Sequence, residues 1–158
     1  MDGTLVDTAT ANYEAYAAAL SQVGASVGRQ AFDEVAAGRN WRQFLPGLLS
    51  AAGSNADPAT VAALKAEIYP NKIRLTKVNN PLVALIETGR PRWRTALVTT
   101  ASRENVMTVL RHHQLEPLFD TIVTGNDVIC HKPDPEAYQL AASRLKLSPD
   151  ECLVIEDS

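Results

Sequence analysis

Four short stretches carry residue types that can bind and transfer a phosphoryl group. Asp2 stands in Met1-Asp2-Gly3-Thr4-Leu5-Val6-Asp7-Thr8, and Thr99 and Thr100 close the apolar run that begins at Thr95. Lys132 stands in His131-Lys132-Pro133-Asp134-Pro135, and Glu156 and Asp157 follow Cys152-Leu153-Val154-Ile155. A hydroxyl with backbone N–H groups at a strand-to-helix turn welcomes an anion. A lysine stiffened by two prolines offers a fixed counter-charge to a phosphate and a carboxylate nucleophile. Adjacent carboxylates suit a hard cation such as Mg²⁺, which takes one or two of them and keeps several waters.

Each stretch alone has a plainer reading. Asp-Gly makes a tight turn into a hairpin, Ser and Thr cap helices, Lys132 rides in solvent on a loop, and one of Glu156 and Asp157 caps a following helix. An acid, a hydroxyl, a lysine and an acid pair, in that order and each at a turn, form a far more specific pattern than any member.

The elements that must position them read as follows. Thr10 to Val23 has helical spacing on Tyr13, Tyr16, Ala17, Leu20 and Val23, with Gly24 as the stop. Gln30 to Ala37, Trp41 to Ala52 and Pro58 to about Leu75 continue the helical period, with Asp57-Pro58 supplying N-cap and N1 residues. Residues 10–77 are therefore expected to form an all-helical unit, and residues 1–9 with 78–158 an α/β core. After Asn79-Asn80-Pro81, Leu82 to Thr88 is expected to be helical. Thr95–Thr100, Asp120–Thr124 and Cys152–Ile155 are short apolar runs. They alternate with helices from Ser102 to His112 and from Asp134-Pro135 to Leu145. That alternation predicts a parallel sheet covered on both faces, with ligands beyond the carboxyl ends of its strands.

The bulk numbers exclude other classes. With 158 residues, 46% hydrophobic and 21% charged, the chain is globular, and its net charge of -3 offers nothing to nucleic acid or a membrane surface. No secretory leader or membrane-spanning run is visible, and Cys130 and Cys152 read as packing residues in a reducing compartment. A cytoplasmic protein is expected, with a monomer as the simplest oligomeric state.

Taken together, Asp2-Gly3-Thr4-Leu5, Val98-Thr99-Thr100, Lys132-Pro133-Asp134-Pro135 and Val154-Ile155-Glu156-Asp157-Ser158 resemble the four ordered motifs of the haloacid dehalogenase superfamily, across the whole chain. The helical segment after the first motif resembles the cap of the phosphoglycolate phosphatase and beta-phosphoglucomutase-like branch. The resemblance implies a Rossmann-like core with an inserted helical cap, Mg²⁺ as cofactor, and a small phosphorylated metabolite as substrate. Asp2 would be the general acid and then base, its carbonyl helping to hold the metal. Thr99 would bond the phosphoryl oxygens with the Thr100 amide assisting, and Lys132 would neutralise phosphate and nucleophile. Asp157, aided by Glu156, would hold the metal, while the cap, through residues such as Asn12 and Arg42, would exclude water and select substrate.

One departure matters. The family's first motif is Asp-x-Asp-Gly-Thr, whose first Asp forms the aspartyl-phosphate. Met1 stands at the x position, so that nucleophile would precede Met1, as would the strand leading into it. The chain is accordingly read as a fragment shortened at both ends, expected to be inactive by itself and to fold poorly. Within the family, Asp2 argues against a dehalogenase, which has no leaving group to protonate. Asn12, aligned where the mutases carry a His, argues against a sugar phosphate mutase. Outside enzymology, a non-catalytic homologue acting through protein contacts is the alternative. Arg39 to Arg42 read either as substrate-facing or as an exposed helix start with Trp41 packed.

Overall fold

A computed structural model of the chain describes residues 1–36 and 39–157. Ala37, the expected end of the second helix, and Ser158 of the fourth motif lie outside the described residues. The contacts divide the chain into two units, Met1–Asp7 with Lys77 onward, and Thr8–Thr76.

In the second unit, helices α1 (Ala9–Gln22), α2 (Arg29–Ala36), α3 (Trp41–Ala51) and α4 (Pro58–Ile68) follow one another. Asp57 caps α4 by accepting the Ala59 and Thr60 amides, and Asn40 with Gln43 forms a capping box for α3. The apolar stripes meet around Phe32, whose ring packs on Tyr13, Tyr16 and Phe44 with centroids 5.3 to 5.8 Å apart. Leu20, Leu45, Leu49 and Val61 complete this core. The helix expected to reach Leu75 ends at Ile68 and continues as a 3₁₀ segment, Tyr69–Leu75. Pro70 explains the break, because it lacks an N–H and its ring crowds the preceding turn.

In the first unit, β1 (Val6–Asp7) pairs antiparallel with β2 (Lys77–Val78). Two-residue strands leave no periodicity to read in the sequence. Helix α5 (Asn80–Gly89) starts at an Asn79 cap. Strands β3 (Ala96–Val98) and β4 (Thr121–Val123) pair in parallel, Ala96 opposite Thr121 and Val98 opposite Val123. Between them lies α6 (Arg103–His112), whose Ser102 cap accepts the Asn105 amide. Helix α7 (Glu136–Leu145) packs on both strands through Ala137 and Ala141.

The third run, Cys152–Ile155, forms no strand. Leu153 is 88% exposed and Val154 and Ile155 about half exposed. A strand needs a neighbour for its N–H and C=O groups. Among the described residues β3 and β4 pair only with each other, so these apolar side chains instead border a groove of about 870 Å³ shared with Ala96–Val98, Leu82 and Trp93. Cys130 and Cys152 are both free and exposed, which corrects their reading as packing residues. No helix among the described residues is long and apolar enough to cross a membrane.

Candidate active site

The first motif folds as a closed loop. The Met1 carbonyl accepts the amides of Leu5 and Val6 at 2.9 and 3.1 Å, and the Gly3 amide donates to Val6 O at 3.0 Å. Asn79, the cap of α5, ties the loop from the other side, its carboxamide donating to Thr4 O and its amide to Leu5 O, both at 2.9 Å. The turn needs a positive φ at Gly3, +79°, and the Asp157 carboxylate lies directly against that residue. Thr4 Oγ1 donates to Asp157 Oδ1 at 2.5 Å and approaches Glu156 Oε2 at 3.4 Å. Two carboxylates 152 and 153 residues away are thus held on the Asp2-Gly3-Thr4 turn.

Lys132 bonds Glu156 Oε1 through its ammonium, with both side chains about one-fifth exposed. Burial alone would lower the lysine, but the hydrogen bond and charge of Glu156 outweigh it and hold it above its ordinary value.

Thr99 is buried just past β3. Its amide donates to Val123 O at 3.0 Å, and its hydroxyl oxygen accepts the Ala101 amide at 3.2 Å. That local cap uses one lone pair and leaves the hydroxyl proton to donate. Thr99 and Thr100 share the carboxyl rim of the parallel pair with Thr124 and Gly125, whose amide donates to Ala101 O at 2.9 Å. No hydrogen bond joins Thr99 to Lys132 or Asp157 among the described residues. Asn12 and Arg42 belong to the helical unit. Asn12 Nδ2 donates to Thr8 Oγ1 at 3.2 Å, and the Arg42 guanidinium stacks on Trp41 at 4.3 Å.

The donor set at the first turn, carboxylates of Asp157 and Glu156 with Asp2 beside them, is hard oxygen and suits Mg²⁺. Among the described residues only Cys130, Asp134 and Glu136 bring three ligand-type atoms within 4.8 Å of one another. Asp2, Glu156 and Asp157 are therefore not drawn together as three carboxylates. Glu136 is already occupied, accepting the Ile129 and Cys130 amides. Two residues had no role assigned from sequence. Thr4 stood inside the first motif, and its position after Gly3 was the available signal. Asp127 carried none, since the arginines that bind it, Arg103 and Arg144, lie 24 and 17 residues away.

A family model described as haloacid dehalogenase-like hydrolase matches residues 1–158. The chain belongs to this family. Among curated relatives of this hydrolase, a fructose-1-phosphate phosphatase of Escherichia coli K12 is 27% identical over 158 residues, covering 100% of this chain and 84% of its own length. A phosphorylated carbohydrates phosphatase of Thermotoga maritima is 32% identical over 166 residues, covering 100% of this chain and 74% of its own. A solved beta-phosphoglucomutase from Clostridium difficile is 25% identical with a TM-score of 0.81, covering 99% and 73%. CbbY from Rhodobacter sphaeroides, solved with phosphate, shares the fold with a TM-score of 0.88 at 24% identity, covering 100% and 75%. The expected HAD-like fold and phosphatase-type family thus stand, and the chain is shorter than these relatives.

Proposed function

We propose that the protein is a Mg²⁺-dependent phosphatase acting on a small phosphorylated metabolite, through an aspartyl-phosphate whose nucleophile precedes Met1. One observation carries the reading. The Thr4 hydroxyl holds Asp157 on the Asp2-Gly3 turn with Glu156 Oε2 3.4 Å from it, and Lys132 binds the same Glu156. Asp157, Glu156 and the Asp2 carbonyl would hold Mg²⁺, which when bound neutralises phosphate charge. The Asp2 carboxyl gives a proton to the leaving alkoxide and then takes one from water. Lys132 supplies positive charge to the phosphoryl oxygens, and Thr99 with the Thr100 amide bonds them at the rim of β3.

The helical unit is read as the cap that selects substrate and excludes water, with Asn12 and Arg42 as its candidate contacts. Asn12 favours a phosphomonoesterase over a mutase, because a carboxamide engaged with Thr8 cannot relay a proton. The named carbohydrate phosphatases among the relatives support sugar phosphates as the first class to screen.

The test is a phosphate-release screen over sugar phosphates, phosphoglycolate and nucleotides, with and without Mg²⁺. The 158-residue chain is compared with one extended ahead of Met1 by an apolar strand ending in Asp. Turnover is expected only in the extended protein and only with metal. Robust Mg²⁺-dependent hydrolysis by the 158 residues themselves would overturn the assignment of the nucleophile. A flat response of a protein restored at both ends would overturn the phosphatase.

A further inference from the structure

Outside the first turn, the densest polar knot in the α/β unit centres on Asp127. Its Oδ2 accepts the Thr124 amide at 2.8 Å and the Thr124 hydroxyl at 2.6 Å, at the exit of β4. The Arg103 guanidinium, at the first residue of α6, bonds both carboxylate oxygens at 2.8 and 2.9 Å. The Arg144 guanidinium, near the end of α7, bonds Oδ1 at 3.0 Å and Ile122 O at 3.1 Å. One carboxylate thus joins three elements: Arg103 Nη2 spans both of its oxygens, and Arg144 divides its two nitrogens between Asp127 Oδ1 and Ile122 O, both charge-assisted contacts.

The neighbours of Asp127 extend the same junction. Asn126 Oδ1 accepts the Arg103 amide at 2.9 Å, meeting one orphan N–H of α6. The Gly125 amide bonds Ala101 O at 2.9 Å, and a Cβ on Gly125 would fall 2.4 Å from Thr100 O. The turn after β4 therefore lies in direct contact with the turn after β3 that carries Thr99 and Thr100. Five residues beyond Asp127 the chain reaches Lys132.

We propose that Asp127 is a positioning residue for phosphoryl transfer, fixing the Thr99–Arg103 turn and the start of the lysine-bearing loop against each other through Arg103, Arg144 and Thr124. The inference rests on the phosphatase reading above. It touches no substrate; it acts by holding the hydroxyl and the ammonium at one spacing, and small misplacements of such groups are costly to rate.

The test uses the full-length enzyme and the variants Asp127→Asn, Arg103→Met and the double variant. Circular dichroism verifies that each is folded at the assay temperature. D127N keeps the shape and can still accept from Thr124, but it loses the charge that both arginines bind. Its kcat for p-nitrophenyl phosphate is expected to fall about tenfold or more at unchanged Mg²⁺ requirement, since misplacement of about 1 Å can cost on the order of a hundredfold. R103M should fall similarly, and the double variant no further than the worse single. Independent structural defects would instead multiply. A kcat for D127N within about twofold of wild type, or multiplying losses, overturns the proposal. If the wild type shows no turnover, the phosphatase reading fails, and amide hydrogen exchange decides the role of Asp127. Faster exchange at Gly125 and Arg103 in D127N supports the clamp, and unchanged exchange refutes it.

Discussion

Replacing Gly3 by Ala perturbs the proposed metal site through one methyl group. The backbone there has φ +79°, which costs an L-residue about 1–2 kcal/mol. The added Cβ would stand 2.1 Å from Asp157 Oδ2 and 2.8 Å from its Cγ, where contacts are comfortable near about 3.5 Å. The carboxylate must retreat by roughly 1 Å, which breaks its 2.5 Å bond from Thr4. A hydrogen bond to a charged group contributes about 1.5–3 kcal/mol, so Mg²⁺ affinity should weaken roughly ten- to a hundredfold. Gly24→Ala separates the two effects, because Gly24 also has positive φ, +71°, with nothing within 4 Å of an added Cβ. It should lower the melting temperature by about 2–8 °C and leave Mg²⁺ binding unchanged. Isothermal titration with Mg²⁺ on wild type, G3A and G24A reads both. Equal Mg²⁺ affinity in G3A and wild type would refute the claim that Asp157 is seated by this turn.

Lys132→Met removes the cation bound to Glu156, so phosphate-ester kcat should fall about 10²–10³-fold. Mg²⁺ should bind more tightly as a repelling charge is lost, and a weaker Mg²⁺ titration would contradict this. Burial would raise Asp127, but the bonds from Thr124, Arg144 and Arg103 outweigh it and hold its carboxyl well below the usual range. A depressed native value stabilises fully above the unfolded pKa near 3.8 and is lost as pH falls below it. D127N should therefore flatten the fall in unfolding free energy between about pH 5 and pH 2, measured by denaturant titration at each pH. Phe32→Ala removes the ring that Tyr13, Tyr16 and Phe44 pack on, so the helical unit should lose about 3–5 kcal/mol, read from helical ellipticity in urea.

Helix positions and their caps were legible in the residues because a cap acts within one turn. Asp57 and Ser102 each bond an amide two or three residues onward, so the sequence window contains both partners, whereas at α5 the cap is Asn79, one residue earlier than Pro at N1 would place it. The order of the four motifs was equally legible, since each is a short run of residues contiguous in sequence. The strand expected at Cys152–Ile155 shows the limit, because an apolar run records only a tendency to be covered. Whether it becomes a strand depends on a neighbour supplying ladder partners, and none of the described residues does so there.

The amino-acid order by itself determined the family, the helices and the chemical types at each strand end. Only the tertiary structure decided that Thr4 meets Asp157 and that Asp127 binds Arg103 and Arg144. These partners lie 17 to 153 residues apart. No local propensity encodes such pairs; they exist because packing brings distant turns to a common rim, where unpaired charge and N–H groups must find one another.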